Sequence, residues 1–206
     1  MKVLLINGSP NANGCTATGI RVLKEEFERQ GIETVVYHLT NVKGGCLDCS
    51  YCMRNGSCVR KDDVNEVSEL LKDIDGIIVG SPVYYAGISG TLKSFLDRLF
   101  YSNPSSLFAY KAAAAFTSSR RAGNLPSLDT VLKYFTITQM TVISSNYWND
   151  IHGSTPEQVL QDEEGITVLR QLAVNMSYYL KMRELAEKEG LPEPEQLPRV
   201  FTNFIR

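Results

Sequence analysis

The chain alternates two hydrophobic rhythms from its first residues. Residues 3–6 form a continuous apolar run, the pattern of a strand covered on both faces. Residues 16–30 then carry Ile20, Leu23 and Phe27 at spacings of three and four, which predicts a helix closed by Gly31. A second strand follows at 33–39, rich in β-branched residues, and a second helix at 62–74, with Val64, Val67, Leu71 and Ile74 on one face. The alternation continues with a strand within 76–80 and a helix over 91–100 that turns Leu92, Phe95, Leu96 and Leu99 inward. Residues 112–117 begin with four alanines that suit a helix as well as a strand; their place in the alternation predicts a strand. A helix over 125–135, a fifth strand over 141–145 and a long closing helix over 164–189 complete the series.

Strand–helix alternation predicts an α/β fold, a doubly wound parallel sheet in a three-layer αβα arrangement. The reading is one domain over residues 1–190, with a cysteine-bearing insertion at 40–61. The tail at 191–206 holds Pro192, Pro194 and Pro198 and reads as a packed or partner-wrapping arm. In such sheets ligands bind beyond the carboxyl ends of the strands, where the strand order reverses. The loops after strands one, three, four and five are therefore the places for chemistry.

The first loop runs Asn7-Gly8-Ser9-Pro10-Asn11-Ala12-Asn13-Gly14-Cys15-Thr16 into a helix. Backbone N–H groups at a helix start, with Ser9, Asn11, Asn13 and Thr16 around them, make an anion cup. An ordinary capped turn is the plainer alternative. No Gly-Lys-Ser/Thr follows, and no Gly-x-Gly-x-x-Gly is present, so nucleotide triphosphates and dinucleotide pyrophosphates are disfavoured. A single terminal phosphate remains. Cys15 reads as a small residue at the helix start.

The third loop carries Pro82, Val83, Tyr84, Tyr85, Ala86 and Gly87. Small residues allow close backbone approach and the tyrosines offer faces, a combination suited to a planar heterocycle. The fourth loop, 117–124, offers Ser118, Arg120, Arg121 and Gly123; the arginines either meet a phosphate or carbonyl edge or stand solvated. The fifth places the single Trp, Trp148, near Asn149 and His152. With only two histidines, no Ser/His/Asp set and no His-rich metal spacing can be assembled, so hydrolase and zinc-protease readings fail. Chemistry carried by a cofactor fits better, with no side chain required as acid or base.

Cys46-x2-Cys49-x2-Cys52-x5-Cys58 sits between the second strand and second helix. Four thiolates satisfy a [4Fe–4S] cluster or tetrahedral zinc, and metal-free thiols, redox-active or structural, are a third reading. The even spacing of the first three departs from the paired knuckles of zinc sites. It departs too from the bacterial ferredoxin run, which has three residues before its last cysteine.

A formal net charge of −2 gives no electrostatic footprint for nucleic acid. No apolar run approaches the roughly 20 residues a membrane helix needs, and no signal peptide is visible. The expectation is a cytoplasmic protein with reduced thiols.

The motifs Gly8-Ser9-Pro10 with Asn13 and Thr16, Gly80-Ser81-Pro82-Val83-Tyr84-Tyr85-Ala86-Gly87, Thr91-Leu92-Lys93 and Phe95-Leu96-Asp97-Arg98 resemble the NAD(P)H-dependent FMN reductases of the flavodoxin-like superfamily over roughly residues 1–180. The resemblance implies a five-stranded sheet in the order 2-1-3-4-5. It implies FMN with its phosphate at 9–16, its ring against 82–87 and residues 118–123 on the other side. Residues 147–152 would lie close by, often reaching across a subunit boundary of a homodimer or homotetramer. The cysteine loop, followed by Asp62-Asp63, is similar to that of the iron–sulfur flavoproteins. The implied activity is electron transfer from NAD(P)H, or from ferredoxin through a cluster, to a quinone, flavin or nitro/azo compound. A non-enzymatic electron carrier and a zinc- or thiol-based interaction or sensing module are the alternatives.

Overall fold

The computed structural model describes residues 1–204, so the last two residues of the 191–206 arm lie outside the described chain. Strands β1 (Lys2–Asn7), β2 (Glu33–His38), β3 (Gly76–Tyr84) and β5 (Ala112–Ser119) are parallel, in the order β2-β1-β3-β5. The fifth position is shared by two short strands on one edge of β5. Strand β6 (Thr141–Val142) pairs at Ala112 and Ala113, and β7 (Asp150–His152) pairs at residues 117–119. The expected order 2-1-3-4-5 therefore holds by position, with the fifth strand split around an excursion at 143–149.

Alternation along each strand sorts side chains onto two helical layers. Leu4, Ile6, Ile77, Val79, Ala113 and Ala115 share one core with α3 (Asp63–Leu70), α4 (Gly90–Ser102) and α5 (Asn124–Ile137). Val3, Leu5, Ile78, Ala112, Ala114 and Phe116 share the other with α1 (Cys15–Arg29) and α7 (Glu163–Lys188). Two shorter helices, α2 (Tyr51–Asn55) and α6 (Pro156–Gln161), lie in connections. The four alanines are a strand, and each is fully buried. Their small side chains let helices on both faces approach a sheet that has no solvent side.

Helix α1 ends as its pattern predicts. Gly31 stands at φ +73°, Ile32 N–H donates to Phe27 O at 2.9 Å, and Gly31 N–H donates to Glu28 O at 3.1 Å. This is the left-handed cap that glycine adopts without strain. The helix expected at 62–74 is shorter, giving way at Leu71–Asp73 to a tighter turn. Strand β3 is longer than expected and runs to Tyr84 before folding back through β4 (Gly87–Ile88) as a hairpin. The segment read as a loop over 82–87 is thus mostly paired. Pro82 fits there because β1 ends at Asn7, opposite Gly80, and no strand on that side needs its missing N–H.

Candidate functional site

A cleft of about 330 Å³ lies beyond the carboxyl ends of β1, β3, β5 and β7. The first loop contributes Ser9, Asn11, Gly14, Cys15 and Thr16; the hairpin contributes Pro82, Val83 and Tyr84. Opposite them stand Ser118, Ser119, Arg120, Gly153, Ser154 and Pro156. Register explains why these walls meet: Pro82 pairs with Ser118, and Ser118 with Ile151. Thr16 Oγ1 and Ser118 Oγ, both buried, are hydrogen-bonded at 2.8 Å across the cleft floor.

The first loop is shaped by its own side chains. Ser9 N–H donates to Asn7 Oδ1, Asn11 N–H to Ser9 Oγ, and Asn13 N–H to Asn11 Oδ1, at 3.0–3.1 Å. Gly8 N–H donates to Gly80 O at 2.9 Å, so close that a Cβ at Gly8 would lie 2.9 Å from that oxygen. The loop thereby consumes its own donors but leaves the helix behind it open. Among the described helices of eight or more residues, α3, α4 and α7 have side-chain caps from Asp62, Ser89 and Asp162. Helices α1 and α5 start from Gly14 and Gly123 with no side-chain cap. Both start after sheet strands, at the loops flanking the cleft. Uncapped N–H groups and the positive end of the helix dipole make such ends receptive to an anion.

The hairpin tip is unusual. Tyr85 and Ala86 occupy the left-handed region at φ +50° and +56°, where non-glycine residues are strained. The tip is buttressed by Gly123, where a Cβ would lie 2.8 Å from Val83 Cγ1 and 2.9 Å from Ala86 Cα. Of the residues expected at the site, Asn13, Tyr85, Ala86, Gly87 and Gly123 do not line this cleft; the Tyr85 side chain is fully exposed. Tyr147 and Trp148 lie on the 143–149 excursion, packed edge to face on each other at 4.9 Å and half exposed. Cys15, read as a small residue at the helix start, also lines the cleft, and its thiol donates to Gly153 O at 3.5 Å. Burial pushes that thiol's pKa up, which keeps it neutral.

The cysteine segment forms a second centre. Cys46, Cys49, Cys52 and Cys58 all border one cavity of about 20 Å³, together with Arg60, Arg98 and Tyr101. Asp48 and Ser50, at φ +51° and +53°, twist the backbone between the first three thiols. Among the described residues no three His, Cys, Asp or Glu side chains are set to coordinate one metal ion. The thiols are gathered but not closed on a point, with Cys46 and Cys49 exposed and free to adjust. The donor set still suits a thiolate centre: Asp48 N–H donates to Cys46 Sγ at 3.4 Å, and Arg98 donates to Cys58 Sγ at 3.1 and 3.3 Å.

The acidic pair anchors this segment. Asp63 accepts the N–H groups of Thr40 and Asn41 at 2.9 and 2.8 Å, and Asp62 that of Lys43 at 2.8 Å. Helix α4 joins the two centres. Its cap Ser89 donates to Gly8 O at 2.7 Å, and eight residues beyond Gly90, about 12 Å along the axis, Arg98 reaches Cys58. Among the described residues no helix is long and apolar enough to cross a membrane.

Comparison with known proteins agrees with this fold. An iron–sulfur flavoprotein of Methanocaldococcus jannaschii is 32% identical over 193 residues, covering 88% of this chain and 98% of its own. In fold, RosB, solved with bound 8-demethyl-8-formylriboflavin-5'-phosphate, matches with a TM-score of 0.73 at 16% identity, covering 99% of this chain and 92% of its own. A flavodoxin from the domain Archaea matches at 0.59 with 18% identity, covering 88% of this chain and 99% of its own. The model of the NADPH-dependent FMN reductases matches residues 1–154, which include every cleft-lining residue but Pro156, the cysteine segment and α4. The chain belongs to the NADPH-dependent FMN reductase family.

Proposed function

We propose that the chain is an FMN-dependent oxidoreductase that takes electrons from NAD(P)H, or from ferredoxin through the cysteine centre, and passes them to a small acceptor such as a quinone, flavin or nitro/azo compound. The observation that carries this reading is the convergence of the uncapped start of α1, a hydroxyl-lined floor and the β3–β4 hairpin on one cleft. Its volume lies at the small end of the range for small-molecule sites. FMN bound there supplies hydride acceptance and electron delivery. The protein's residues do the placing. Ser9, Asn11 and Thr16, with the first turn of α1, receive the phosphate; Pro82, Val83 and Tyr84 flank the ring on one side. Ser118 and Arg120 stand opposite, and the Arg120 guanidinium would offset charge at the ring edge. Cys46, Cys49, Cys52 and Cys58 would hold a [4Fe–4S] cluster, for which the N–H···S donors at two of the four sulfurs suit the added charge. A homodimer or homotetramer is the assembly we expect.

Flavin titration tests the first part. Thr16→Val keeps the side chain's shape and removes the hydroxyl at the floor. It is expected to weaken FMN binding about 10-fold or more, since a hydrogen bond to a charged group contributes about 1.5–3 kcal/mol. Fluorescence quenching of FMN measures it. A wild-type chain that binds no FMN after reconstitution would sink the proposal. Steady-state NAD(P)H oxidation with a quinone separates an enzyme from a carrier that only exchanges electrons with ferredoxin.

A further inference from the structure

Arg98 is the cationic residue of the family-like Phe95-Leu96-Asp97-Arg98 motif, and the flavin cleft makes no use of it. Its side chain is 1% exposed, facing an Asp62 side chain that is 0% exposed. Every nitrogen of the guanidinium is engaged. Nη1 donates to Asp62 Oδ2 at 2.7 Å and Gly44 O at 3.3 Å. Nη2 donates to Asp62 Oδ1 at 2.8 Å, Arg60 O at 3.3 Å and Cys58 Sγ at 3.1 Å, and Nε donates to the same sulfur at 3.3 Å. Among the described residues this is the one charged donor to any of the four sulfurs. A neutral thiol is a weak acceptor. Two donor nitrogens of a buried cation aimed at it make sense for a sulfur that bears charge, as a metal-bound thiolate does.

We propose that Arg98 is the positioning and potential-setting residue of the cysteine centre, a deepening that rests on the cluster reading above. Asp62 fixes the guanidinium in plane, and the guanidinium fixes the Cys58 sulfur, so Cys58 is the innermost and best-oriented of the four ligands. A cluster held here would gain one unit of negative charge on accepting an electron from a ferredoxin-type donor, with no bond made or broken at Arg98. The adjacent cation stabilises the reduced form and raises the reduction potential, as hydrogen bonds to cluster sulfurs do. Asp62, on the far side of the guanidinium, acts in the opposite sense. The two residues form one mechanical clamp but have opposite electrostatic effects, and that separates tuning from mere support.

The experiment is anaerobic reconstitution of the full chain with ferrous iron and sulfide, followed by dithionite titration monitored by electron paramagnetic resonance. Iron and acid-labile sulfide are counted per chain, and bound FMN reports that the fold persists. Arg98→Gln is expected to lower the midpoint potential and Asp62→Asn to raise it. Arg98→Lys, which keeps the charge and loses the fork, should stay near wild type in potential. In both Arg98 variants iron loss to a chelator should be faster, on the order of 10-fold. Should Arg98→Gln not fold, Asp62→Asn and Arg98→Lys decide the matter. Shifts of the same sign in Arg98→Gln and Asp62→Asn, or no shift in a loaded Asp62→Asn, would overturn the inference while leaving the cluster in place. A wild-type chain that binds FMN but takes up no iron or sulfide overturns both.

Discussion

Arg98→Met is expected to destabilise the chain by about 3–5 kcal/mol, the range for removing one partner of a buried ion pair. The lost attraction is the smaller part of this; the larger is an Asp62 carboxylate left in a dry site without its counter-charge. Asp62→Asn added to Arg98→Met should return about 2 kcal/mol, because it removes that charge while Asn retains an acceptor for the Val64 N–H that Asp62 caps. Urea unfolding of the single and double variants, read at constant m, gives both numbers. A double variant less stable than Arg98→Met would show that Asp62 acts through its backbone contacts at Lys43 and Val64, and not through charge.

The same pair sets an acid limb. Burial alone would raise the Asp62 pKa, but hydrogen bonds from Arg98 and the Lys43 N–H outweigh it and hold the carboxyl below its ordinary 3.8. A depressed acid stabilises the folded state above its unfolded pKa and loses that contribution as the pH falls through its folded one. The wild-type chain should therefore lose stability on acidification below pH ~4, and less steeply in Arg98→Met, where Asp62 no longer has a low pKa to protect.

What could be read from the chain was what its periodicity carries. The apolar run at β1, the helical spacing of Ile20, Leu23 and Phe27, and the glycine closing α1 each state a local geometry, and each is found. The Ala112–Ser119 strand was legible only through its place in the alternation, since alanine favours neither rhythm. The split fifth strand was not legible, because β6 pairs for two residues before the chain departs and β7 returns with three. The hairpin after Tyr84 was missed for a chemical reason. Its turn is made by Tyr85 and Ala86, not by the Asn-Gly or Gly-Gly pairs that signal such turns, and it lies closely packed against Gly123. At the cleft, the residue types around the first loop and the hairpin were visible, whereas Gly153, Ser154 and Pro156 are brought in behind β7, whose register sets Ile151 beside Ser118. Arg98 and Cys58 are 40 positions apart. The one hint was an arginine on the flank of the α4 apolar stripe.

Phe116→Ala should lower stability by about 3–5 kcal/mol, the usual range for a buried phenylalanine. The reason its partners are glycines makes the prediction sharper. The Phe116 ring, 0% exposed, lies against Gly80 of β3 and Gly19 of α1. A Cβ at Gly80 would stand 2.5 Å from Phe116 Cζ, and one at Gly19 would stand 2.6 Å from Cε2. Neither glycine has a positive φ, so space is the constraint, not backbone freedom. Gly80→Ala alone should therefore destabilise by overpacking, about 1–3 kcal/mol. In Gly80→Ala/Phe116→Ala the new methyl enters the room the ring has vacated, so the double variant should be more stable than the sum of the two singles by about 1–2 kcal/mol. The effect reaches the cleft, because the same Cβ would lie 2.9 Å from Thr16 Cγ2 and press on the residue that bonds Ser118. Gly80→Ala should weaken FMN binding even where it remains folded, and Phe116→Ala in the same chain should restore part of it. Thermal unfolding and flavin titration of the four chains test the two limbs separately; strict additivity in both would mean that the ring does not link β3, α1 and the cleft floor.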